Sequence, residues 1–249
     1  TDMPFNSATH DQASHDFAMI GSGWEWNLEE VNQAQLYGIN LSGTKADSAA
    51  DKVERLLNSI AFTGSVEKRW TGLLNDSNVS RVDAAASGTA GSTYWSAKDV
   101  DLIMADVNGL LGSIRTNTGE VEWADTVRMP PDAFRAVATK RMGAGDGFMT
   151  VLEYMRRNNI YTAETGLPLD IAPLREARNA SADGGGRLVA YRKDPEVVRF
   201  HLPMPRRVLA PRQKSIMGFE TGIIARTGGT EIRLPGAVAY LDEITPPVS

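Results

Sequence analysis

The stretch that decides the fold is Asn27–Gly64, NLEEVNQAQLYGINLSGTKADSAADKVERLLNSIAFTG. Asn27 is a good helix N-cap, and Glu30 three residues later completes a capping box. Gly64 is suited to end the helix in a left-handed conformation. The pattern predicts about 37 helical residues, roughly 55 Å if they are continuous. Apolar and small residues recur at helical spacing: Leu28, Val31, Ala34, Gly38, Leu41, Ala46, Ala49, Ala50, Val53, Leu56, Leu57 and Ile60.

A bend in this segment is predicted at Ser42-Gly43-Thr44, because serine and glycine weaken a helix interior. Two descriptions remain open at this point. The segment is either two amphipathic helices joined at Gly43 or one long bent rod. In both cases its narrow stripe of small residues is typical of a scaffold and not of a catalytic element.

Composition limits the classes of function. The chain has 249 residues, 42% of them hydrophobic and 23% charged, which is ordinary for a globular protein with a sizeable core. The net charge of −5 predicts no overall attraction to nucleic acid or to an anionic membrane. Without cysteine the chain has no disulfide, no thiolate chemistry and no cysteine-based zinc site. No run of about 18 apolar residues predicts a membrane span.

The first half of the chain outside this stretch predicts short elements. Ala18-Met19-Ile20 is a candidate strand, and Gly21-Ser22-Gly23 is expected to break it. Residues 79–92 are small and polar and predict an exposed loop. Ser96 is expected to cap a second helix with an apolar stripe that runs from Val100 to Leu111. A strand at 126–129 ended by Pro130-Pro131, a helix from Asp132 and another helix at 149–158 are expected to follow.

The second half predicts strands and two hairpins. Strands at 187–192 and 197–202 are expected to pair with each other. The prolines between 203 and 211 favour a linker or crossover. Strands at 217–226 and 230–241 flank Gly228-Gly229, which predicts a closing hairpin. Together with the helices, these strands predict an α+β fold.

Charge is distributed unevenly along the sequence. The first 60 residues are predominantly acidic, whereas residues 187–233 are rich in arginine and lysine. Complementary faces on identical copies would suit head-to-tail association, and an ordinary solvated surface is the alternative. The basic residues are Arg187, Arg192, Lys193, Arg199, Arg206, Arg207, Arg212, Lys214, Arg226 and Arg233.

The motifs provide no positive evidence for catalysis. Gly143-x-Gly145-x-Gly147 follows a helix and lacks the lysine of a phosphate-binding loop. His10 and His15 would point to opposite faces of a strand, and His201 is distant in sequence. Serine-hydrolase and zinc-protease signatures are missing from the sequence. We therefore predict no catalytic, cofactor-binding or metal residue, no cofactor and no enzymatic activity. The tryptophans are interpreted as packing anchors: Trp24, Trp26, Trp70, Trp95 and Trp123.

The order of the motifs resembles that of tailed-bacteriophage major capsid proteins with the Hong Kong 97-type fold, in particular a group often called only the "major capsid family". The resemblance covers nearly the whole chain. It rests on the order of a series of short motifs. In the first half these are Gly-x-Gly-Trp, the long helix that begins with acidic residues, Ile60–Gly64, Gly72-Leu73-Leu74-Asn75, and Ala124-Asp125-Thr126-Val127 before Pro130-Pro131. In the second half they are Thr150-Val151-Leu152, Arg187–Tyr191, and Arg226-Thr227-Gly228-Gly229 before Arg233-Leu234-Pro235 and Tyr240-Leu241-Asp242.

The resemblance implies a domain organisation. Residues 1–25 correspond to the return strand of an extended E-loop, and residues 26–94 to a peripheral domain whose spine helix is 26–64. Residues 95–205 correspond to an axial domain, in which 143–147 and 183–186 are candidate capsomer-centre loops. Residues 206–249 correspond to strands that return to the peripheral domain. The N-terminal arm and the outgoing E-loop strand of such proteins are missing from this sequence, so we expect a partial or processed chain.

The resemblance also implies a function. The chain is expected to assemble with itself, as pentamers and hexamers, into the icosahedral head of a tailed phage that encloses double-stranded DNA. Decoration, scaffolding and portal proteins are possible further partners, the DNA is contacted only non-specifically, and no membrane is involved. No motif identifies a lysine–asparagine crosslink. Two alternatives stay open: the shell of an encapsulin-like nanocompartment and an α+β enzyme of unknown activity.

Overall fold

The computed structural model describes residues 16–36, 41–87, 91–142 and 149–247. The chain divides into two compact units. We call residues 1–53 and 202–228 the ribbon unit, and residues 54–201 and 229–249 the core unit. None of the helices in the described ranges has the length and apolar character that crossing a membrane requires.

The long helical stretch contains two described helices, α1 (Leu28–Leu36) and α2 (Leu41–Thr63). Residues 37–40 between them lie outside the described residues. The predicted bend at Ser42-Gly43-Thr44 is wrong, because all three residues lie inside α2. One glycine costs a helix only about 1 kcal/mol, and the alanines that follow have the highest helix propensity. Gly64 has the predicted left-handed backbone, with a φ of 73°.

The sheet of the ribbon unit consists of β1 (Ala18–Asn27), β7 (Met204–Val208), β8 (Arg212–Gln213) and β9 (Gly218–Thr227). β9 lies between β1 and β7, and β8 also pairs with β9. The predicted break at residues 21–23 is wrong, because β1 pairs with β9 in unbroken antiparallel register from Ala18↔Thr227 to Asn27↔Gly218. The segment 203–211 was predicted to be a linker or a crossover. It is not an unstructured linker, because it contains β7, but the chain does pass from the core unit to the ribbon unit directly before it, at residue 202.

The core unit contains a five-stranded sheet. Its strands are β2 (Ser80–Asp83), β3 (Thr126–Met129), β4 (Asp170–Pro173), β5 (Leu188–Tyr191) and β11 (Val238–Asp242). The order is β2-β11-β5-β3-β4, with the outer strands parallel to their neighbours and the inner pairs antiparallel. The predicted loop at residues 79–92 is therefore partly a strand. All four residues of β2 are exposed, so no apolar alternation in the sequence reveals it.

Both predicted hairpins are wrong. β6 (Val198–His201) pairs with β10 (Gly229–Ile232) and not with β5. The predicted strands on either side of Gly228-Gly229 belong to different sheets. β9 lies in the ribbon unit, whereas β10 pairs with β6, and β11 pairs with β2 and β5. Gly229 does adopt a left-handed backbone, with a φ of 81°. The glycine signal therefore marks a change of direction but does not specify which strands pair.

The helices of the core unit are α3 (Val100–Asn117), α4 (Pro131–Thr139), α5 (Val151–Arg157) and α6 (Ile160–Thr165). Short 3₁₀ turns occupy Arg175–Asn179 and Pro235–Ala237. The predicted Ser96 cap is wrong, because α3 begins after Asp99. The preceding segment is held in a turn by fully buried Trp95, whose backbone N–H donates to Ile244.

The hydrophobic core lies in the core unit. One apolar cluster joins α3, α4 and α5 to the five-stranded sheet, and a second joins Leu74 and Val79 to Val189, Val238 and Tyr240. The predicted stripe of α3 is confirmed, since Ile103, Val107, Leu110 and Leu111 are buried there. The mixture of segregated helices and largely antiparallel strands confirms the α+β fold class.

Candidate functional site

The ribbon of β1 and β9 has two unlike faces. Successive side chains of a strand point to opposite faces, and β1 alternates between half-buried and exposed residues along its whole length. Ile20, Trp24 and Trp26 lie on the half-buried face, where Trp26 stacks on Phe219 with ring centroids 6.0 Å apart. Most of the exposed face of β1 is small or polar.

A trough lies on the ribbon where side chains are missing from neighbouring strands. Gly21 and Gly23 of β1 lie near Gly222 of β9. The lining combines apolar residues such as Leu209 and Ile224 with the charged residues Glu25, Arg212 and Glu220. We call this depression the glycine trough; its volume is about 770 Å³. A Cβ on Gly21 would lie 2.7 Å from the carbonyl oxygen of Ile223, so glycine is needed for the close approach of the two strands.

An exposed apolar cluster lies at one end of the ribbon. Ile216 is 91% exposed, and Met217 and Leu28 are 45% and 46% exposed. The N–H of Leu28 donates to the carbonyl of Met217 at 2.9 Å, which places α1 beside the turn between β8 and β9. We call these three residues the apolar tip.

The turn that carries the apolar tip is held by its own hydrogen bonds. The side-chain amide of Gln213 donates to the carbonyl of Ile216 at 3.0 Å. The N–H of Gly218 donates to Ser215 Oγ at 2.9 Å, and the N–H of Lys214 donates to the carbonyl of Gly218. Ile216 is therefore presented to solvent by a closed turn and not by an unrestrained loop.

Ion pairs connect the elements of the ribbon unit. Lys214 Nζ lies 2.8 Å from Glu25, and Lys45 Nζ lies 3.0 Å from Glu30. The hydrogen bond and charge of Lys214 lower the pKa of Glu25, and that carboxylate in turn raises the pKa of Lys214. The pKa of Glu30 is lowered first by Lys45 and then by the backbone of Asn27. The contact with Asn27 is the carboxylate half of the predicted capping box.

The core unit buries its principal ion pair. Arg187 Nε and Nη2 donate to the two carboxylate oxygens of Asp242, at 2.6 and 2.7 Å, and Arg187 Nη1 donates to the carbonyl of Leu74. Its guanidinium lies over the ring of Tyr240, 4.6 Å from the centroid. Burial raises the pKa of the Tyr240 hydroxyl, which donates to the carbonyl of Leu73 at 2.7 Å. A solvated-face interpretation of the basic segment is therefore wrong for Arg187, which is only 6% exposed.

A second buried network fixes the start of α3. Lys98 Nζ lies 2.5 Å from Asp106, and the indole N–H of Trp95 donates to the same carboxylate at 3.0 Å. Lys98 is fully buried and Asp106 is 9% exposed. A buried charge that is paired and hydrogen-bonded in this way favours a single conformation of the segment that carries it. The interpretation of Trp95 as a packing anchor is confirmed.

Most of the predicted candidates for chemistry lie outside the described residues, namely Gly143–Gly147, His10 and His15. His201 Nε2 lies 2.9 Å from Glu231. Within the described ranges no three histidine or acidic side chains are placed to hold a metal ion.

The apolar tip was missed because Ile216-Met217 before a β-rich run looks like the start of a buried strand.

Comparison with known proteins gives the family. The family model for the major capsid protein matches residues 1–244. None of the curated proteins matches the sequence. Among solved structures, the capsid of Myoviridae phage XM1 is similar with a TM-score of 0.76 and 18% identity, over 91% of this chain and 73% of that one.

Other shell proteins share the fold. The capsid of a native GTA particle has a TM-score of 0.58 and 14% identity, with 90% of this chain and 72% of that one covered. The holo-SrpI encapsulin from Synechococcus elongatus PCC 7942 has a TM-score of 0.52 and 11% identity, with coverage of 92% and 74%. At these identities the structural matches establish the Hong Kong 97-type fold, while the family model spans almost all of the sequence. The chain belongs to the major capsid protein family, and its place is the capsid of a virion.

Proposed function

We propose that copies of this chain assemble, through pentamers and hexamers, into the icosahedral head of a tailed phage that encloses double-stranded DNA. The observation that carries the proposal is that a chain of the capsid family exposes large apolar side chains on its surface. A capsid-family chain keeps Ile216 and Met217 exposed on a hydrogen-bonded turn, with exposed Leu28 of α1 beside them. Contiguous apolar surface of this kind marks contact sites on soluble proteins. In a shell the contact partner is another copy.

The charge of the chain is compatible with a DNA container. With a net charge of −5, these 249 residues carry no overall excess of positive charge that would hold DNA through counterion release. Contacts with packaged DNA are then local and independent of sequence. Scaffolding, portal and decoration proteins are the further partners that a phage head would require, and no cofactor or catalytic role is assigned.

The domain assignment is part of the same proposal. Residues 1–25, which include most of β1, serve as the return strand of the E-loop. Residues 26–94, with α1 and α2, and residues 206–249 belong to the peripheral domain. Residues 95–205 form the axial domain, and the loops at 143–147 and 183–186 meet at capsomer centres.

Electron microscopy of the purified protein tests the proposal. We expect closed particles of uniform diameter, and particles from an infected host should protect double-stranded DNA from nuclease. A chain that stays monomeric at high concentration, in its full-length form, would contradict self-assembly. The particle diameter would also give the number of copies per shell.

An encapsulin-like nanocompartment is the second candidate, because an encapsulin shares the fold with a TM-score of 0.52. Such a shell would load a cargo protein in place of DNA. Analysis of purified particles by mass spectrometry and nucleic-acid staining separates the two candidates. Particles filled with one enzyme and free of nuclease-protected DNA would favour the nanocompartment.

A further inference from the structure

We infer that two carboxylates on α2 of one copy bind two arginines on the ribbon-unit sheet of a neighbouring copy. The inference rests on the proposed self-assembly and goes further by naming two charged surfaces that meet. The carboxylates, which we call the acidic pair, are Asp47 and Asp51. The arginines, which we call the arginine pair, are Arg207 of β7 and Arg226 of β9. All four residues lie in the ribbon unit and are exposed.

The acidic pair lies on the outward face of α2. The buried residues of this helix within the ribbon unit are Ala49 and Val53. Successive residues of an α-helix are rotated by about 100°, so Asp47 and Asp51 are neighbours on one face, nearly opposite to Ala49 and Val53. Like charges four residues apart repel each other and slightly destabilise a helix. The acidic pair therefore does not stabilise the helix that carries it.

The arginine pair lies on one face of the ribbon-unit sheet. Arg207 pairs with Ile224 of β9, and residues directly opposite each other in an antiparallel pair share a face. Arg226 follows Ile224 by two positions on the same strand and points to the same side. Arg226 is exposed although the residues before and after it in β9 are buried. The two guanidinium groups are therefore diagonal neighbours on the sheet surface, where like charges again repel each other.

Neither pair is neutralised within its own chain. The ion pairs that the structure describes in the ribbon unit join three cations to three carboxylates: Lys45, Lys214 and Arg212 to Glu30, Glu25 and Glu220. The acidic pair and the arginine pair take no part in the ion pairs of the described ranges. Each copy therefore presents two exposed clusters of opposite charge, and in each cluster the like charges lack a counter-charge.

The two pairs match in spacing. Side chains four residues apart on a helix have Cβ atoms about 5–6 Å apart, and diagonal neighbours on a sheet lie about 7–8 Å apart. The long side chain of arginine spans this difference, and a guanidinium can bind a carboxylate through two parallel N–H···O bonds. One arginine can therefore bind each carboxylate of the neighbouring copy.

A second copy accounts for both pairs, whereas DNA would account for only one. Phosphate groups would attract the arginine pair but would repel the acidic pair. In a shell of identical chains, every arginine pair is accompanied by an acidic pair on another copy. Because the two pairs are different surfaces of the chain, their contact is head-to-tail, and such contacts close into a ring when the rotation between copies permits it. Charge pairs of this kind fix the register and orientation of an interface.

Charge reversal with rescue tests the contact. One variant combines Asp47→Arg with Asp51→Arg, and a second combines Arg207→Glu with Arg226→Glu. Each places like charges opposite each other at the contact, so we expect the yield of particles seen by electron microscopy to fall about tenfold or more. A third variant carries all four substitutions and restores opposite charges with the two surfaces exchanged. Its yield should recover to near the wild-type value, which a merely misfolded chain would not do.

A matched control changes the net charge by the same amount elsewhere. Glu67 and Asp83 are exposed residues of the core unit, and neither takes part in the ion pairs of the described ranges. Glu67→Arg combined with Asp83→Arg should leave the yield of particles near the wild-type value. A yield that falls equally in this control and in the variant of the acidic pair would assign the loss to net charge and overturn the contact. Circular dichroism should show the wild-type spectrum for every variant, because all of the substituted residues are exposed.

The results separate this contact from self-assembly itself. If the wild-type full-length protein forms no particles, the proposed function is wrong and the contact falls with it. If both charge-reversed variants assemble like the wild type, the contact is wrong while the shell function stands. If both lose particles and the variant with all four substitutions does not recover, the two pairs do not face each other.

Nuclease protection tests DNA as the alternative partner of the arginine pair. Particles of the Arg207→Glu, Arg226→Glu variant that form in normal yield but no longer protect double-stranded DNA would assign the arginines to DNA and overturn the contact. Loss of particles in both charge-reversed variants, with recovery when the two exchanges are combined, supports the contact between copies.

Discussion

The ribbon unit and the core unit are stabilised in different ways. In the described part of the ribbon unit, the buried apolar side chains are Ala49, Val53, Ile223 and Ala225, and the ion pairs are exposed to solvent. The core unit has two apolar clusters and buries the Arg187–Asp242 and Lys98–Asp106 pairs. The core unit therefore has a buried interior of its own, whereas the ribbon unit keeps apolar side chains such as Ile216 exposed.

The largest difference should appear when a charge pair is broken in each unit. Asp242→Ala leaves Arg187 buried without its carboxylate, and we expect the free energy of unfolding to fall by about 3–5 kcal/mol. Glu220→Ala removes the partner of Arg212 on the ribbon, where an exposed pair contributes about 0–1 kcal/mol. Urea titration of both variants measures the difference. Equal losses would show that the two units do not differ in this respect.

The same side-chain truncation separates the units when it is made at a buried and at an exposed isoleucine. Ile114→Ala removes a fully buried side chain of α3 and should cost about 2–5 kcal/mol, from lost transfer free energy and from the cavity left behind. Ile216→Ala, at a residue 91% exposed, should change the stability of the single chain by less than about 0.5 kcal/mol.

Thermal unfolding of unassembled protein measures both isoleucine variants. A destabilised Ile216→Ala chain would mean that the apolar tip is covered within one copy. In that case the tip would not be available to a neighbour.

The glycines of the ribbon provide a finer comparison. Gly21→Ala places a methyl group 2.7 Å from the backbone oxygen of Ile223, so the strands must separate, and we expect a loss of about 1–3 kcal/mol. At Gly23 the nearest atom would be 3.4 Å away, which is an ordinary contact, so Gly23→Ala is the matched control. Hydrogen exchange of β1 amides should accelerate in the first variant and stay near the wild-type rate in the second. Similar exchange in both would exclude the close approach as the reason for glycine.

Sequence reasoning correctly predicted elements whose signal lies in their own residues. It failed where pairing with a strand distant in sequence determines the structure. The stripe of α3 was predicted correctly, because its buried side chains recur at helical spacing. The strand before Pro130 was predicted correctly because the two prolines mark its end. β2 was missed, since its four exposed residues carry no pattern and only the pairing with β11 makes them a strand.

The hairpins failed for the same reason. Gly228-Gly229 and the short spacing between the strands at 187–192 and 197–202 predict reversals of the chain, but the sheet to which each strand belongs determines which strands pair. The same limit applied to the prediction of the candidate site. The resemblance of ordered motifs indicated a shell protein, whereas the tip and the trough depend on register between Gly21 and Ile224, residues more than 200 positions apart in sequence.

Acid should loosen the ribbon unit through its exposed carboxylates. Lys214 lowers the pKa of Glu25, and Lys45 lowers that of Glu30, so both pairs contribute stability above the unfolded carboxylate pKa of about 4.3. That contribution is lost as the pH falls through the lowered folded values.

The pKa of Lys214 is raised, so its share is present below the unfolded lysine value of about 10.4 and disappears as the pH rises through the folded value. The ribbon should therefore be most protected between these limits. Hydrogen exchange of β1 amides, measured as a function of pH, tests the effect. Glu25→Gln should remove most of the loss of protection at low pH that depends on Lys214. Because all of these groups are solvent-exposed, the change should be small and should shrink further in high salt. If the loss of protection at low pH persists unchanged in both Glu25→Gln and Glu30→Gln, it originates in the core unit. There, Arg128 also lowers the pKa of Asp170.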